Sequence, residues 1–297
     1  MNFFDQPTLH KLEQLALVAD QVRVGVLKGD RRSKKRGTAV EFADYRDYTQ
    51  GDDLRRLDWN VMARLERPFI KLLEEEEDLA VHLLIDGSGS MDWPQADAAS
   101  DHHKLTYALR LAAGLGHIAL TTGDQLTITC LGSSDDRRWG PFRGSGSSVR
   151  LFQFLAATRA DGITDLNQSL KNYALRAKRP GLLLLISDLF SPGGFKAGLR
   201  PLLARGYEVG LIHLLSPDEA DPPASGDLKL VDVETGQATE VTLDEPTRDL
   251  YRTRLQAWQS DLASYCAARA VHYIPVTTAL PWDKLILQTL RGRGVVK

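Results

Sequence analysis

The stretch Ala80 to Met91, AVHLLIDGSGSM, decides how this chain is read. Val81, Leu83, Leu84 and Ile85 form an apolar run too short for a typical helix and closed by Gly87 and Gly89, which is the pattern of a buried parallel strand. In open α/β sheets the loops at the carboxyl ends of strands form the ligand crevice, so this strand delivers Asp86, Ser88 and Ser90 to that crevice together. One carboxylate and two hydroxyls are the oxygen ligands that a hard cation takes.

Downstream, the pattern alternates between helix and strand. A helical stripe from Leu105 ends near Gly123, Leu126 to Cys130 alternates with threonines as a strand, and Arg137 to Phe142 reads as an antiparallel edge. GSGSS, 144–148, lacks the GKS or GKT of a phosphate-binding loop and reads as the cap of a helix from Val149 to Thr158. DGITDL, Asp161 to Leu166, puts Thr164 just before another helix. GLLLLI, Gly181 to Ile186, is the most apolar strand, and it ends in Ser187 and Asp188 at the same sheet edge as Asp86. A helix over Phe195 to Arg205 and a strand over Tyr207 to Leu215 continue the alternation. A long helix carrying Trp258, a strand over Val271 to Ile274 and a closing helix from Trp282 to Leu290 complete it. The class is therefore α/β, a doubly wound, mostly parallel, Rossmann-like sheet flanked by helices. Residues 216–246 read as an inserted β-hairpin turning near Gly236.

Upstream, apolar spacing predicts an amphipathic helix over Leu9 to Val24, followed by the basic run RRSKKR, Arg31 to Arg36. Glu41 to Arg64 mixes aromatics with Asp and Arg in no clean period and reads as an irregular clasp, pinned by residues such as Tyr48, Leu57 and Trp59. Phe69 to Leu73 reads as a strand. Two regions are expected: 1–78, the N-terminal helix and clasp packed on the main domain, and 79–297, the sheet-bearing domain with its insertion.

The 297 residues are 43% hydrophobic and 26% charged with a formal net charge of -2, ordinary values for a soluble globular protein. With no net positive charge and no reading motif, nucleic-acid binding is not expected. Cys130 and Cys266 form neither a disulfide framework nor a metal-ligand spacing and read as core packing. No signal peptide and no run of about 18 apolar residues is present, so a cytoplasmic chain without a membrane span is expected.

Asp86, Ser88, Ser90, Thr164 and Asp188 thus supply three hydroxyls and two carboxylates at one sheet edge, which suits octahedral, partly hydrated Mg²⁺, with Mn²⁺ and Ca²⁺ as the other candidates. The competing reading is a capped turn that holds no metal. Asp101, His102 and His103 are a lesser candidate for a transition metal.

This order of motifs resembles the von Willebrand factor A fold and its metal-ion-dependent adhesion site, D-x-S-x-S followed by a later Thr and a later Asp. The third loop reads Ser187, Asp188, Leu189 where T-D-G is commoner, from which a changed loop shape is expected. The segment from Arg36 to Met91, beginning RGTAVEFADYRDYTQGDDLRRLDWNVMARL, is similar to the bacterial family known as domain of unknown function 58. That resemblance implies a MoxR-type AAA+ ATPase, or its client, as partner. The function expected is a non-enzymatic adaptor that grips a partner's acidic residue through the metal. The alternative is a metal-dependent hydrolase of phosphate esters, against which stand the missing nucleophile–base pair and the missing second-metal cluster.

Overall fold

The computed structural model describes residues 3–19, 40–49, 57–65, 67–75, 79–95, 100, 102–132, 136–177, 179–223, 226–232 and 236–297. The chain divides into two compact units, residues 1–28 with 79–297, and residues 29–78. Residues 3–19 belong to the sheet-bearing unit.

The smaller unit contains an antiparallel pair, β1 (Val40–Asp47) and β2 (Phe69–Glu75), with a short helix, α2 (Trp59–Leu65), between them in sequence. The expected irregular clasp is thus partly regular structure. A register shift between Phe42 and Asp44 inserts an extra residue into β1, and such a bulge breaks the period-two signal by which strands are read. Trp59, expected to pin the segment, is 65% exposed at the start of α2. Asp58 caps this helix by accepting the Val61 N–H at 3.3 Å. The basic run 31–36, residues 50–56 of the clasp and Asp101 lie outside the described residues.

The larger unit is built on six strands: β3 (Ala80–Asp86), β4 (Gln125–Leu131), β5 (Arg137–Phe142), β6 (Leu182–Ser187), β7 (Glu208–Leu215) and β10 (His272–Thr277). Their spatial order is β10-β7-β6-β3-β4-β5, parallel except for the antiparallel pair β4/β5. This is the mostly parallel α/β sheet that the alternation predicts. From β3 the chain steps to β4 on one side and later returns to β6 on the other. The order therefore reverses at β3, and ligand crevices form where an open sheet does this.

Alternate residues of β3 face opposite layers. Val81, Leu83 and Ile85 join a core with α1 (Gln6–Leu12), α3 (Lys104–Thr121), α4 (Ser148–Ala156) and the C-terminal Leu285 and Ile286. Leu84 joins the other core, with α5 (Leu166–Arg176), α6 (Lys196–Ala204) and the long helix α8 (Glu245–Ala267). Each fully buried leucine of this kind contributes about 2 kcal/mol of hydrophobic stabilisation. Both cysteines are buried and free, as core residues, and burial pushes each thiol up to about 11.

The N-terminal helix is shorter than predicted. Asp5 caps α1 by accepting the Thr8 N–H, and Pro7 lies in the first turn. Beyond Leu12 the backbone instead pairs with the C-terminal end of the chain: Ala16 and Lys297 exchange both N–H···O bonds, and the Val18 N–H reaches the Val295 carbonyl at 3.0 Å. Leu12, Leu15, Ala16 and Ala19 mimic helical spacing, but beyond Leu12 the buried Leu15, Leu17 and Ala19 alternate in this extended segment.

The insertion opens with a short helix, α7 (Pro217–Ala220), and continues as the expected hairpin, β8 (Gly226–Val231) with β9 (Ala238–Leu243). Gly236, at φ +71°, turns it in a conformation that costs glycine little. No helix among the described residues is long and apolar enough to cross a membrane.

Candidate metal centre

Asp86 is the last residue of β3, and Asp188 directly follows the last residue of β6, the neighbouring strand. Both are buried, and each accepts the N–H two residues on, an Asx-turn that ends its strand: Ser88 N–H to Asp86 Oδ1 at 3.0 Å and Phe190 N–H to Asp188 Oδ1 at 3.1 Å. The Ser187 hydroxyl ties the two strand ends together by donating to Asp86 Oδ2 at 2.6 Å and accepting the Leu189 N–H at 2.9 Å.

Hydrogen bonds hold the Thr164 loop against both. Gly89 N–H donates to the Gly162 carbonyl at 2.7 Å, and Asp161 N–H donates to the Gly87 carbonyl at 2.8 Å. On the other side the Ser191 hydroxyl donates to the Thr164 carbonyl at 3.0 Å. Gly87 lies so close to the end of β4 that an added Cβ would stand 2.6 Å from the Leu131 carbonyl oxygen, a contact only glycine avoids. Asp165, next to Thr164, caps α5 by accepting the Gln168 N–H at 3.0 Å. The three loops expected to carry the site are thus joined directly to one another.

Ser88 and Ser90 bring their hydroxyls within 3.0 Å of each other. Thr164 is 1% exposed, and its Oγ1 is buried without a hydrogen-bond partner. A buried hydroxyl left unmade costs about 1–3 kcal/mol, so such orphans call for an explanation. The Asp86 carboxyl is pushed up to about 6, first by burial and then by the Asp188 charge, against the donors Ser187 and Ser88.

Asp188 differs in having a cation. Lys104, at the start of α3 and 0% exposed, donates from Nζ to Asp188 Oδ2 at 2.7 Å and to Glu219 Oε1 at 2.6 Å. Glu219 is held in turn by a capping box on α7: its Oε2 accepts the Ser216 N–H at 2.8 Å, and the Ser216 hydroxyl accepts the Glu219 N–H at 3.2 Å. His213 on β7 is fully buried, its Nδ1 2.7 Å from the Tyr273 hydroxyl. Burial pushes its imidazole down to about 4, while the Asp188 carboxylate acts in the opposite direction.

The third loop departs from T-D-G in sequence, and the residue standing in the glycine position takes a conformation that glycine favours. Leu189 adopts φ +61°, the left-handed region that favours glycine, and buries its side chain. The backbone cost of about 1–2 kcal/mol is offset by that burial. His102 and His103 have structural roles: His102 Nδ1 lies 3.0 Å from the Thr278 carbonyl oxygen, while His103 caps α3 and meets Asp92 Oδ1 at 3.1 Å.

Lys104 and Glu219 carried no readable signal in the sequence, whereas Ser187 was visible as the residue before Asp188. Among the described residues no three or more His, Cys, Asp and Glu side chains cluster so as to hold a metal. Any ion here therefore relies on hydroxyls beside two carboxylates. An oxygen-only set with an orphaned hydroxyl and a carboxylate lacking a cation fits a hard divalent ion.

Residues 44–261 match the family described as protein of unknown function DUF58. The chain belongs to that family. All five candidate ligands, with Lys104 and Glu219, lie inside the matched DUF58 span. The uncharacterized protein Rv1480 of Mycobacterium tuberculosis is 27% identical over 293 residues, which cover 97% of this chain and 91% of that protein. The uncharacterized protein Mb1516 of Mycobacterium bovis matches to the same extent. Among solved structures, the DUF58 chain is similar to conserved hypothetical protein BatB from Bacteroides thetaiotaomicron, with a TM-score of 0.42, 15% identity, and coverage of 72% of this chain and 98% of that one.

Proposed function

We propose that this DUF58 protein is a non-enzymatic binding module of von Willebrand factor A type, which grips an acidic residue of a partner protein through a divalent cation. Asp86, Ser88, Ser90, Thr164 and Asp188 would hold Mg²⁺, with Mn²⁺ or Ca²⁺ as substitutes. Bound there, the ion supplies a compact positive charge with room for an outside carboxylate. The observation that carries the reading is the buried Thr164 hydroxyl without a partner, in a loop bonded to that of Asp86, a buried carboxylate that hydrogen-bonds only neutral donors. Electrostatics supports it as well: Asp86 and Asp188 are both buried, and the Asp188 charge helps to raise the Asp86 carboxyl, a repulsion that a cation between them would relieve.

The partner class is taken from the family resemblance: a MoxR-type AAA+ ATPase or its client. In a binding assay with such an ATPase, affinity is expected to fall at least about tenfold on chelation and in Asp86→Ala. Affinity unchanged by both would overturn the reading.

A further inference from the structure

We propose that Lys104 sets the cation affinity of this site by competing for Asp188, and that Glu219 governs how strongly it competes. The inference rests on the metal-site reading above. Lys104 Nζ lies between two carboxylates, 2.7 Å from Asp188 Oδ2 and 2.6 Å from Glu219 Oε1. The two differ in setting. Asp188 belongs to the candidate centre, while Glu219 is fixed by its capping box and by the Tyr251 hydroxyl, which donates to its backbone carbonyl. The ammonium is 0% exposed and lies 5.3 Å from the centre of the Phe190 ring, so water screens its charge weakly.

An ammonium paired with Asp188 lowers the negative potential that this carboxylate offers to a divalent ion, and two cations sharing one carboxylate repel each other. Glu219 takes part of the ammonium's interaction without belonging to the centre. Losing Lys104 should therefore tighten cation binding. Losing the Glu219 charge should weaken it, because Asp188 then becomes the sole ionic partner of Lys104 among these three groups. A purely structural salt bridge would not give opposite signs.

The test is Mn²⁺ binding by the full chain, followed by electron paramagnetic resonance at low ionic strength. Lys104→Met is expected to bind Mn²⁺ about tenfold tighter than wild type, and Glu219→Gln several-fold weaker. In the double variant, Glu219→Gln should add nothing, since there is no ammonium left to redirect. Glu219 is the more exposed partner, so its variant keeps the test available should Lys104→Met not fold. Wild-type binding with unchanged affinity in the folded variants overturns the role of Lys104 alone. Absence of Mn²⁺ binding in wild type and variants alike overturns that role and the metal reading together.

Discussion

The ends of β3 and β6 are built alike and equipped differently. Each closes with a buried aspartate in an Asx-turn, on adjacent parallel strands, and one serine hydroxyl joins the two. Yet Asp188 has the buried ammonium of Lys104 against it, while the hydrogen bonds of Asp86 come from the neutral donors Ser88 and Ser187. One carboxylate carries a built-in counterion; the other has none among its hydrogen-bond donors, and under the proposed function it is the one whose charge an exchangeable cation would meet.

This asymmetry is tested most severely by removing each carboxylate in chelator. Asp188→Ala leaves the Lys104 ammonium buried with half its partners and should cost about 3–5 kcal/mol in urea denaturation. Asp86→Ala should cost far less, and equal losses would erase the distinction.

The same contrast should appear in pH dependence. Because the folded Asp86 carboxyl is raised to about 6, it binds protons more tightly in the native state than in the unfolded chain. Metal-free wild type should therefore be favoured over Asp86→Asn at about pH 4 and lose on the order of 2–3 kcal/mol of that advantage as pH rises through 6. A difference between the two proteins that is flat with pH would contradict this.

His82, also on β3, supplies the opposite sign at a distance from the strand ends. Its Nδ1 is 2.7 Å from the Tyr173 hydroxyl, and its imidazole is held down at about 4, first by burial and then by the charges of Arg138 and Arg179. The unfolded chain takes up this proton first, so stability falls as pH drops through 6.5 towards 4. Between pH 7 and 5 wild type should lose about 2 kcal/mol relative to His82→Gln.

The smallest effect is the most diagnostic. Thr164→Val replaces an orphaned hydroxyl with a methyl group of similar shape and should stabilise the chelated protein by about 1 kcal/mol while weakening Mn²⁺ binding. Loss of stability in chelator would mean that the hydroxyl has a use without metal.

The sheet and the five candidate ligands were legible because their signals are local. An apolar run, a closing glycine and hydroxyls at alternate positions sit within a few residues of one another, and the order of three such loops survives folding. The counterion was illegible. Lys104 is 84 residues from Asp188 and 115 from Glu219, and nothing in the pattern of α3 marks one lysine as a residue that will be fully enclosed. The end of α1 escaped for the same reason, since pairing with residues near the C-terminus decides where its helix stops. In β1 the signal was local but shifted by a bulge.

The reversal of strand order at β3 has a consequence for how the protein is made. Asp86 meets the Asp188 loop only once β6 has docked beside β3, after about a hundred intervening residues have formed two strands and three helices. Pairing of this kind is slow because loop closure precedes its reward. A nascent chain that ends before residue 180 carries the whole DGSGS sequence without the centre it belongs to. Under the proposed function, cation uptake followed in time during refolding would accordingly report the closure of β6 onto β3.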